Sequence, residues 1–165
     1  MNAQGRLIGR FTKELPPGTL EWIGLRSKRR APMVLVNQVM ALAELGLEGD
    51  HRCQKTPGSA RQVTLISQEY IGLIAHFLGR DEIDPAVLRR NLVVSGINLT
   101  ALRHQRFRIG DAEFEATALC HPCARMEEAL GKGGVAAMLG HGGLCARILK
   151  SGSIAVGDKV EKIDL

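Results

Sequence analysis

The feature that most constrains the fold is a succession of short apolar segments, each closed by a turn signal. Two of these turns are Gly-Asp pairs, Gly110-Asp111 and Gly157-Asp158, with alternating apolar and polar residues on both sides. Around Gly110-Asp111 this alternation is typical of a β-hairpin, and the closing Gly157-Asp158 turn repeats the pattern of Ile109-Gly110-Asp111. Many short strands joined by turns, with one or two helices, predict a mainly β protein: a β-barrel with a few helical insertions.

Other apolar segments extend this pattern, although one of them is ambiguous. The run from Met33 to Gly46 fits either a strand or a helix, because its apolar residues follow neither period cleanly. The chain of 165 residues is long enough for one core, and we expect a single domain over 1–165. Further strands are predicted at 5–13, 20–25, 61–66, 92–96 and 145–149.

Helices and loops are predicted from their end signals. Ser67 is typical of an N-cap, here for a helix from Gln68 to Leu78, and Asp84-Pro85 opens a short turn or helix. Residues 54–60 are polar and contain a proline and a glycine, which predicts an exposed loop. Residues 131–143 are glycine-rich, and we expect them to be flexible.

The charge of the chain is moderately basic, with a formal net charge of +5. Positive residues cluster in three places, at 26–30, 89–90 and 103–108. A solvated basic face explains such clusters most simply, and an anionic partner is the alternative. With only 4% aromatic residues and no reading motif, nucleic acid is not expected as a partner, whereas a phosphorylated small cofactor fits the charge.

The sequence also bears on location. No apolar run has the length of a membrane span, and the first six residues lack the apolar core of a secretory signal. We therefore expect a cytoplasmic protein with no membrane partner. Its four cysteines are then expected to be mostly reduced.

The segment Cys120-His121-Pro122-Cys123 carries the strongest chemical signal. Pro122 restricts its own backbone and biases His121 away from helix, so the two thiols sit on a stiff connection. A helix that begins near Met126 favours a thiolate at Cys123 through its dipole, as does the neighbouring Arg125. That thiolate can be a metal ligand, a nucleophile or a sulfur carrier.

Other interpretations of these residues stay open. The C-x-x-C spacing also occurs in structural zinc sites, which need two more ligands, and in dithiol redox sites, which usually lie in a βαβ fold. Cys120 and Cys123 are alternatively small buried apolar residues. At Asp50-His51, adjacent side chains point to opposite faces, which favours a turn role for Asp50 while a neighbour reaches the site.

Taken together, the motifs resemble those of the MOSC domain, named for the C-terminal part of molybdenum cofactor sulfurases, and in particular its stand-alone bacterial members. The resemblance implies a barrel of the pyruvate kinase type. The order of the motifs is more specific than any one of them. They are Gly46-Leu47-Glu48-Gly49-Asp50-His51, residues 61–66, residues 89–97, Ile109-Gly110-Asp111, Cys120-His121-Pro122-Cys123 and residues 153–158.

The resemblance implies binding of the molybdenum cofactor, molybdopterin, and either reduction of N-hydroxylated compounds or transfer of metal-bound sulfur. Cys123 matches the family's cysteine after proline and is the implied metal ligand; with Cys120 it is the implied catalytic pair. The partners implied are a small-molecule substrate and an electron-donor protein or a cysteine desulfurase, and the family is also associated with pyridoxal phosphate. The implied cofactor-binding residues are Arg61, Arg90, Asn91, His51, Asp50 and Arg125.

Two departures from the family pattern accompany this resemblance. The usual Gly-Asp-x-His order reads Gly49-Asp50-His51-Arg52 here, and residues 131–143 lack the cysteine that ligates molybdenum in amidoxime-reducing members. Two further hypotheses therefore stand beside the cofactor enzyme. One is a cysteine persulfide carrier without bound metal, and the other is a non-catalytic module that binds an anionic partner.

Overall fold

A computed structural model describes residues 1–164, which form eleven strands and five α-helices. The helices are α1 (Ala3–Gly9), α2 (Gln68–Phe77), α3 (Pro85–Leu88), α4 (Ala124–Leu130) and α5 (Gly134–Met138), with 3₁₀ turns at His51–Gln54 and Leu99–Leu102. The strands are β1 (Gly18–Leu25), β2 (Val34–Val36), β3 (Gln38–Leu42), β4 (Gly46–Leu47), β5 (Val63–Ser67), β6 (Leu92–Ser95), β7 (Arg106–Ile109), β8 (Ala112–Leu119), β9 (Leu144–Lys150), β10 (Gly152–Ala155) and β11 (Lys159–Ile163).

Seven of the strands close into a barrel, in the order β11-β7-β8-β9-β5-β6-β1. Closure is made by antiparallel pairing of β1 with β11, where Gly18 lies opposite Val160. The pairs around the ring are antiparallel except β5 and β6, which run parallel. Strand β2 extends the sheet beyond β1, and β10, β3 and β4 form a second sheet. The prediction of a mainly β barrel with helical insertions is thus confirmed.

Two apolar clusters hold this fold together. Inside the barrel, Phe107 and Phe114 lie opposite each other on β7 and β8, and their rings stack with centroids 5.2 Å apart. On β5, Leu65 belongs to this cluster, whereas Ile66 packs with residues of α2, α4 and α5 in the second one. Because both faces of β5 and β6 are covered, these strands are rich in apolar residues on both faces.

Most of the predicted elements are present. The hairpin around Gly110-Asp111 is β7 and β8, and the run from Met33 to Gly46 forms strands. The Ser67 hydroxyl accepts a hydrogen bond from the Tyr70 amide at the start of α2, as an N-cap does. No helix within residues 1–164 combines the length and the apolar composition needed to cross a bilayer.

Two local predictions are wrong. The strand predicted at 5–13 is instead helix α1, whose N-cap is the Asn2 side chain accepting from the Gly5 amide at 2.8 Å. The segment 131–143 is not a flexible connection, because it contains α5. The Glu127 carboxylate fixes that helix by accepting hydrogen bonds from the amides of Gly133 and Val135, at 3.1 and 2.9 Å.

Candidate functional site: a cationic cavity beside Cys123

A cavity of about 460 Å³ lies at the end of the barrel where β1 ends and β6 begins. Strands β1 and β6 are antiparallel, with Ile23 opposite Leu92, so the residues that follow β1 lie beside those that precede β6. The segment between His51 and Arg61 and the start of α4 complete the wall. Four stretches that are distant in sequence therefore meet here.

The wall of the cavity is strongly cationic. Within residues 1–164, Arg26 alone among its cations forms a salt bridge to a carboxylate, that of Asp50. Elsewhere on the barrel, Arg106 and Arg108 each face a glutamate across a strand pair. Unneutralised positive charge in a concave wall favours anionic ligands. The cationic lining residues are Arg26, Arg29, Lys55, Arg61, Arg89, Arg90 and Arg125.

Arg90 is the most deeply buried of these cations, with 5% of its surface exposed. Its guanidinium donates hydrogen bonds to the carbonyl oxygens of Gly142, Leu88 and Cys120, at 2.9, 3.1 and 3.5 Å. Burial lowers the pKa of Arg90, but arginine stays protonated at neutral pH. The carbonyls thus hold a fixed positive charge in the wall without cancelling it.

Asp50 lies behind the wall and supports it. Its carboxylate accepts from the backbone and side chain of Arg26, from the Arg52 amide and, at 2.9 Å, from the Asn91 side-chain amide. Burial raises the pKa of Asp50, but the Arg26 guanidinium and these backbone donors outweigh it and hold the pKa below its usual value. Asp50 and Asn91 are 3% and 1% exposed, so they position the wall and do not line it.

His51, next to Asp50, does line the cavity. Its Nδ1 lies 3.0 Å from the Arg26 carbonyl oxygen. Because a carbonyl only accepts, Nδ1 carries a hydrogen in this contact. The other ring nitrogen, Nε2, is left for a ligand, either as an acceptor or, when protonated, as a donor.

The two cysteines of the C-x-x-C segment have different surroundings. Cys123 is exposed, lines the cavity and is the N-cap residue of α4, where its thiol makes no capping hydrogen bond. Cys120 is 2% exposed and lies outside this cavity, next to Cys145. Hydrogen bonding from the Cys145 thiol, helped by Arg90, outweighs burial and lowers the pKa of Cys120 to about 6. Only Cys123 of the two is open to a ligand in the cavity.

Comparison with known families decides what kind of protein carries this site. The family model for the MOSC domain matches residues 49–161. The chain belongs to the MOSC domain family. Comparison with curated protein sequences gives no significant match.

Solved structures share the fold of this MOSC protein. YuaD from Bacillus subtilis is 20% identical in sequence and superposes with a TM-score of 0.76. The match covers 90% of this chain and 97% of the YuaD chain. YiiM from Escherichia coli is 20% identical over 89% of this chain and 70% of its own, with a TM-score of 0.67. YiiM from Geobacillus stearothermophilus is 14% identical over 90% and 76%, with a TM-score of 0.73. At these identities the likeness establishes the fold alone.

Several residues of the MOSC protein's cavity were not predicted as site residues. Arg26, Arg29 and Arg89 belong to basic clusters for which a solvated face was the simpler interpretation, and Lys55 belongs to a predicted exposed loop. For Arg26, Arg29 and Arg89, the clustering of basic residues in the sequence was the signal that could have identified them as site residues. The pairing of β1 with β6 brings the clusters at 26–30 and 89–90 together around one cavity, a proximity that their positions in the sequence do not show.

Arg89 lines the cavity, and its backbone conformation is unfavourable for any amino acid other than glycine. Its φ of 58° is left-handed, at the C-cap of α3, and its side chain donates to the Ala31 carbonyl at 2.6 Å. Left-handed backbone costs a residue with a Cβ roughly 1 kcal/mol. We therefore expect Arg89→Gly to be about 1 kcal/mol more stable than Arg89→Ala, the matched control that keeps the strain. Urea denaturation of both variants measures this, and equal stabilities would contradict it.

Proposed function

We propose that this MOSC protein binds a molybdopterin-type cofactor in the cationic cavity, with Cys123 as the protein ligand of its molybdenum. One observation carries the proposal: an exposed thiol opens into the same cavity as six arginines and a lysine. A phosphate group suits guanidinium donors, and a thiolate suits a soft metal centre. The wall therefore offers complementary groups to both ends of such a cofactor.

The residues present fit this cofactor in a further respect. In the part of the chain that the structure describes, no three His, Cys, Asp or Glu side chains cluster as a metal site would require. A metal held at Cys123 must then receive its other ligands from the cofactor, and molybdopterin supplies its own sulfur ligands. The same finding leaves structural zinc at Cys120 and Cys123 without further ligands among residues 1–164.

The roles of the individual residues follow from their contacts. Arg61, Arg90 and Arg125 would hold the phosphate, and His51 Nε2 would hydrogen-bond to the bound group. Asp50 and Asn91 would not contact the cofactor; they would position the Arg26 side chain, with which both form hydrogen bonds. Cys120, buried outside the cavity, would help to position the wall, because its carbonyl oxygen accepts a hydrogen bond from Arg90.

When bound, the cofactor would supply two-electron redox chemistry at its metal. The reaction that fits best is reduction of an N-hydroxylated small molecule, with electrons from a donor protein. Binding of pyridoxal phosphate, the family's other association, stays a prediction.

The test measures metal and pterin in protein made in a host that synthesises the cofactor. We expect the native protein to contain molybdenum and pterin near a one-to-one ratio with the chain, and Cys123→Ala to lose most of its molybdenum. The matched control is Cys53→Ser, because Cys53 lies outside the cavity and its thiol donates to the Leu47 carbonyl, a bond that serine can keep. Full molybdenum content and activity in Cys123→Ala would refute the assignment.

A persulfide carrier is the second candidate, favoured by the exposure of the Cys123 thiol. In that case, a cysteine desulfurase with free cysteine would add sulfane sulfur to Cys123, and a reductant would remove it. Native protein without molybdenum that still forms this adduct would select sulfur transfer. A non-catalytic anion-binding module would instead show steep salt dependence of binding and no effect of cysteine substitution.

A further inference from the structure

We propose that Cys120 and Cys145 form a redox-sensitive thiol pair, which hydrogen peroxide oxidises to a disulfide and a thiol reductant restores. Both are free cysteines in the structure, and both are buried outside the cationic cavity. Neither thiol has a role in the chemistry proposed at Cys123. The inference therefore does not rest on the proposed function.

The pairing of β8 with β9 brings the two cysteines together. Cys145 lies opposite Ala118 in this pair. The pairing continues past the end of β8, where the Cys120 amide donates to the Gly143 carbonyl at 2.8 Å. Because alternate residues share a face, Cys120 and Ala118 point the same way, and Cys120 is a diagonal neighbour of Cys145. The Cys145 thiol hydrogen-bonds to the Cys120 sulfur, so the two sulfur atoms are already in contact.

The two thiols differ in the way that an oxidation of this kind requires. Hydrogen bonding from Cys145, helped by the positive charge of Arg90, outweighs burial and lowers the pKa of Cys120 to about 6. The same hydrogen bond and burial raise the pKa of Cys145, which therefore keeps its proton. Peroxide reacts with a thiolate and not with a thiol, so the Cys120 sulfur is oxidised first and the Cys145 thiol resolves it.

A small cavity gives an oxidant access to Cys120. It measures about 40 Å³, and its lining includes Cys120, Pro122, Gly140, Gly142 and Gly143. It shares no lining residue with the cationic cavity. One water molecule needs about 10 to 15 Å³ of such space, so the cavity has room for hydrogen peroxide but not for a molecule the size of glutathione.

The oxidation is balanced with hydrogen peroxide as the oxidant. The Cys120 thiolate attacks one peroxide oxygen, the O–O bond breaks, and a sulfenic acid forms while hydroxide leaves. The Cys145 sulfur then attacks the sulfenic sulfur, so that the S–S bond forms, the S–O bond breaks and the thiol proton leaves with the oxygen as water. Two electrons pass from the sulfur atoms to the peroxide. A thiol reductant returns them by exchange and becomes a disulfide itself.

Oxidation of this pair affects the cationic cavity through Arg90. The Arg90 guanidinium lines that cavity and donates to the Cys120 carbonyl at 3.5 Å. The negative charge of a Cys120 thiolate also acts on Arg90, where it favours the protonated guanidinium. Formation of the disulfide removes this charge from the neighbourhood of a buried cation of the wall.

Peptide mapping of the whole chain under non-reducing conditions tests the proposal. Trypsin, which cleaves after lysine and arginine, releases residues 109–125, which contain Cys120 and Cys123, and residues 133–147, which contain Cys145. We expect hydrogen peroxide to join these two peptides, and dithiothreitol to separate them. The same result is expected in Cys123→Ser, where Cys120 is the one cysteine of its peptide. Cys53→Ser is the matched control without effect, because Cys53 lines neither cavity and its thiol donates to the Leu47 carbonyl, a bond that serine can keep.

A second variant and a second oxidant test the roles of the two sulfurs and of the small cavity. Cys145→Ser keeps a hydrogen-bond donor but cannot form the disulfide, so Cys120 should remain a sulfenic acid. Dimedone, which traps sulfenic acids, should then label Cys120 at least about fivefold more than in native protein. Oxidised glutathione should join the two peptides at least about tenfold more slowly than hydrogen peroxide, because it does not fit the small cavity.

Several results would overturn the inference. One is a disulfide between Cys120 and Cys123, within residues 109–125, as the main product in native protein. Another is the absence of joined peptides in Cys123→Ser. Dimedone labelling of Cys145→Ser no stronger than that of native protein would exclude Cys145 as the resolving thiol, and equal rates with the two oxidants would exclude the small cavity as the route. None of these measurements depends on molybdenum or pterin content, so they stand apart from the test of the proposed function.

Discussion

Replacing Arg90 with methionine is expected to lower the free energy of unfolding by about 3 kcal/mol. Methionine fills much of the space of the arginine stem but removes the donors that serve the carbonyls of Gly142, Leu88 and Cys120. Each buried acceptor left without a partner costs about 1 to 3 kcal/mol, partly recovered by relaxation or by water. Urea denaturation at pH 7 measures the change.

Two controls separate hydrogen bonding from charge at this position. Arg90→Lys keeps the positive charge, but a single ammonium cannot span three carbonyls held by a planar guanidinium, so we expect it to restore less than half of the loss. Arg108→Met removes an exposed arginine and its 3.6 Å contact with Glu113, and should change stability by less than about 1 kcal/mol. An Arg90→Met protein as stable as the native one would show that these carbonyls find other partners.

Replacing Asp50 with alanine is expected to cost about 3 kcal/mol at pH 7. The change leaves the Arg26 guanidinium without its salt bridge, and it removes the acceptor of the Asn91 amide and of the Arg52 amide. Asp50→Asn keeps the shape but not the charge, and its free energy of unfolding should lie between those of the native protein and Asp50→Ala. Thermal or urea unfolding of the three proteins measures the series, and an alanine variant within about 0.5 kcal/mol of the native protein would contradict it.

The contribution of the Asp50 charge should depend on pH in a defined direction. Its pKa is lower in the folded protein than the value of about 3.9 expected in the unfolded chain. The stabilisation is therefore complete above about pH 4 and is lost as the pH falls through the folded pKa. The stability difference between native protein and Asp50→Asn should be constant from pH 7 to pH 5 and shrink toward pH 3. A difference unchanged at pH 3 would show that the carboxylate does not supply it.

Local sequence signals accounted for much of the fold. The Gly110-Asp111 turn and its alternating flanks predicted the hairpin of β7 and β8, and Ser67 marked the start of α2, because these structures depend on residues close together in the chain. The turn at Gly157-Asp158 instead joins β10 to β11, which pair with strands of different sheets. Local signals failed at α1 and α5, where a hydrogen bond between a side chain and the backbone fixes the helix. The Asn2 side chain caps α1, and the carboxylate of Glu127 in α4 accepts hydrogen bonds from backbone amides at the start of α5. Specific contacts, and not composition, therefore decide the structure of both segments.

The sequence alone determined the family and the barrel class, since both follow from the order of the motifs and the periodicity of the strands along the chain. Only the tertiary structure decided which basic residues form one site and which cysteine is accessible. Barrel closure and the register of β1 against β6 bring Arg26 beside Arg89 and Arg90, and packing buries Cys120 while it leaves Cys123 exposed. Electrostatic attraction for a ligand depends on distances between charges, and such distances exist only once the strands have paired.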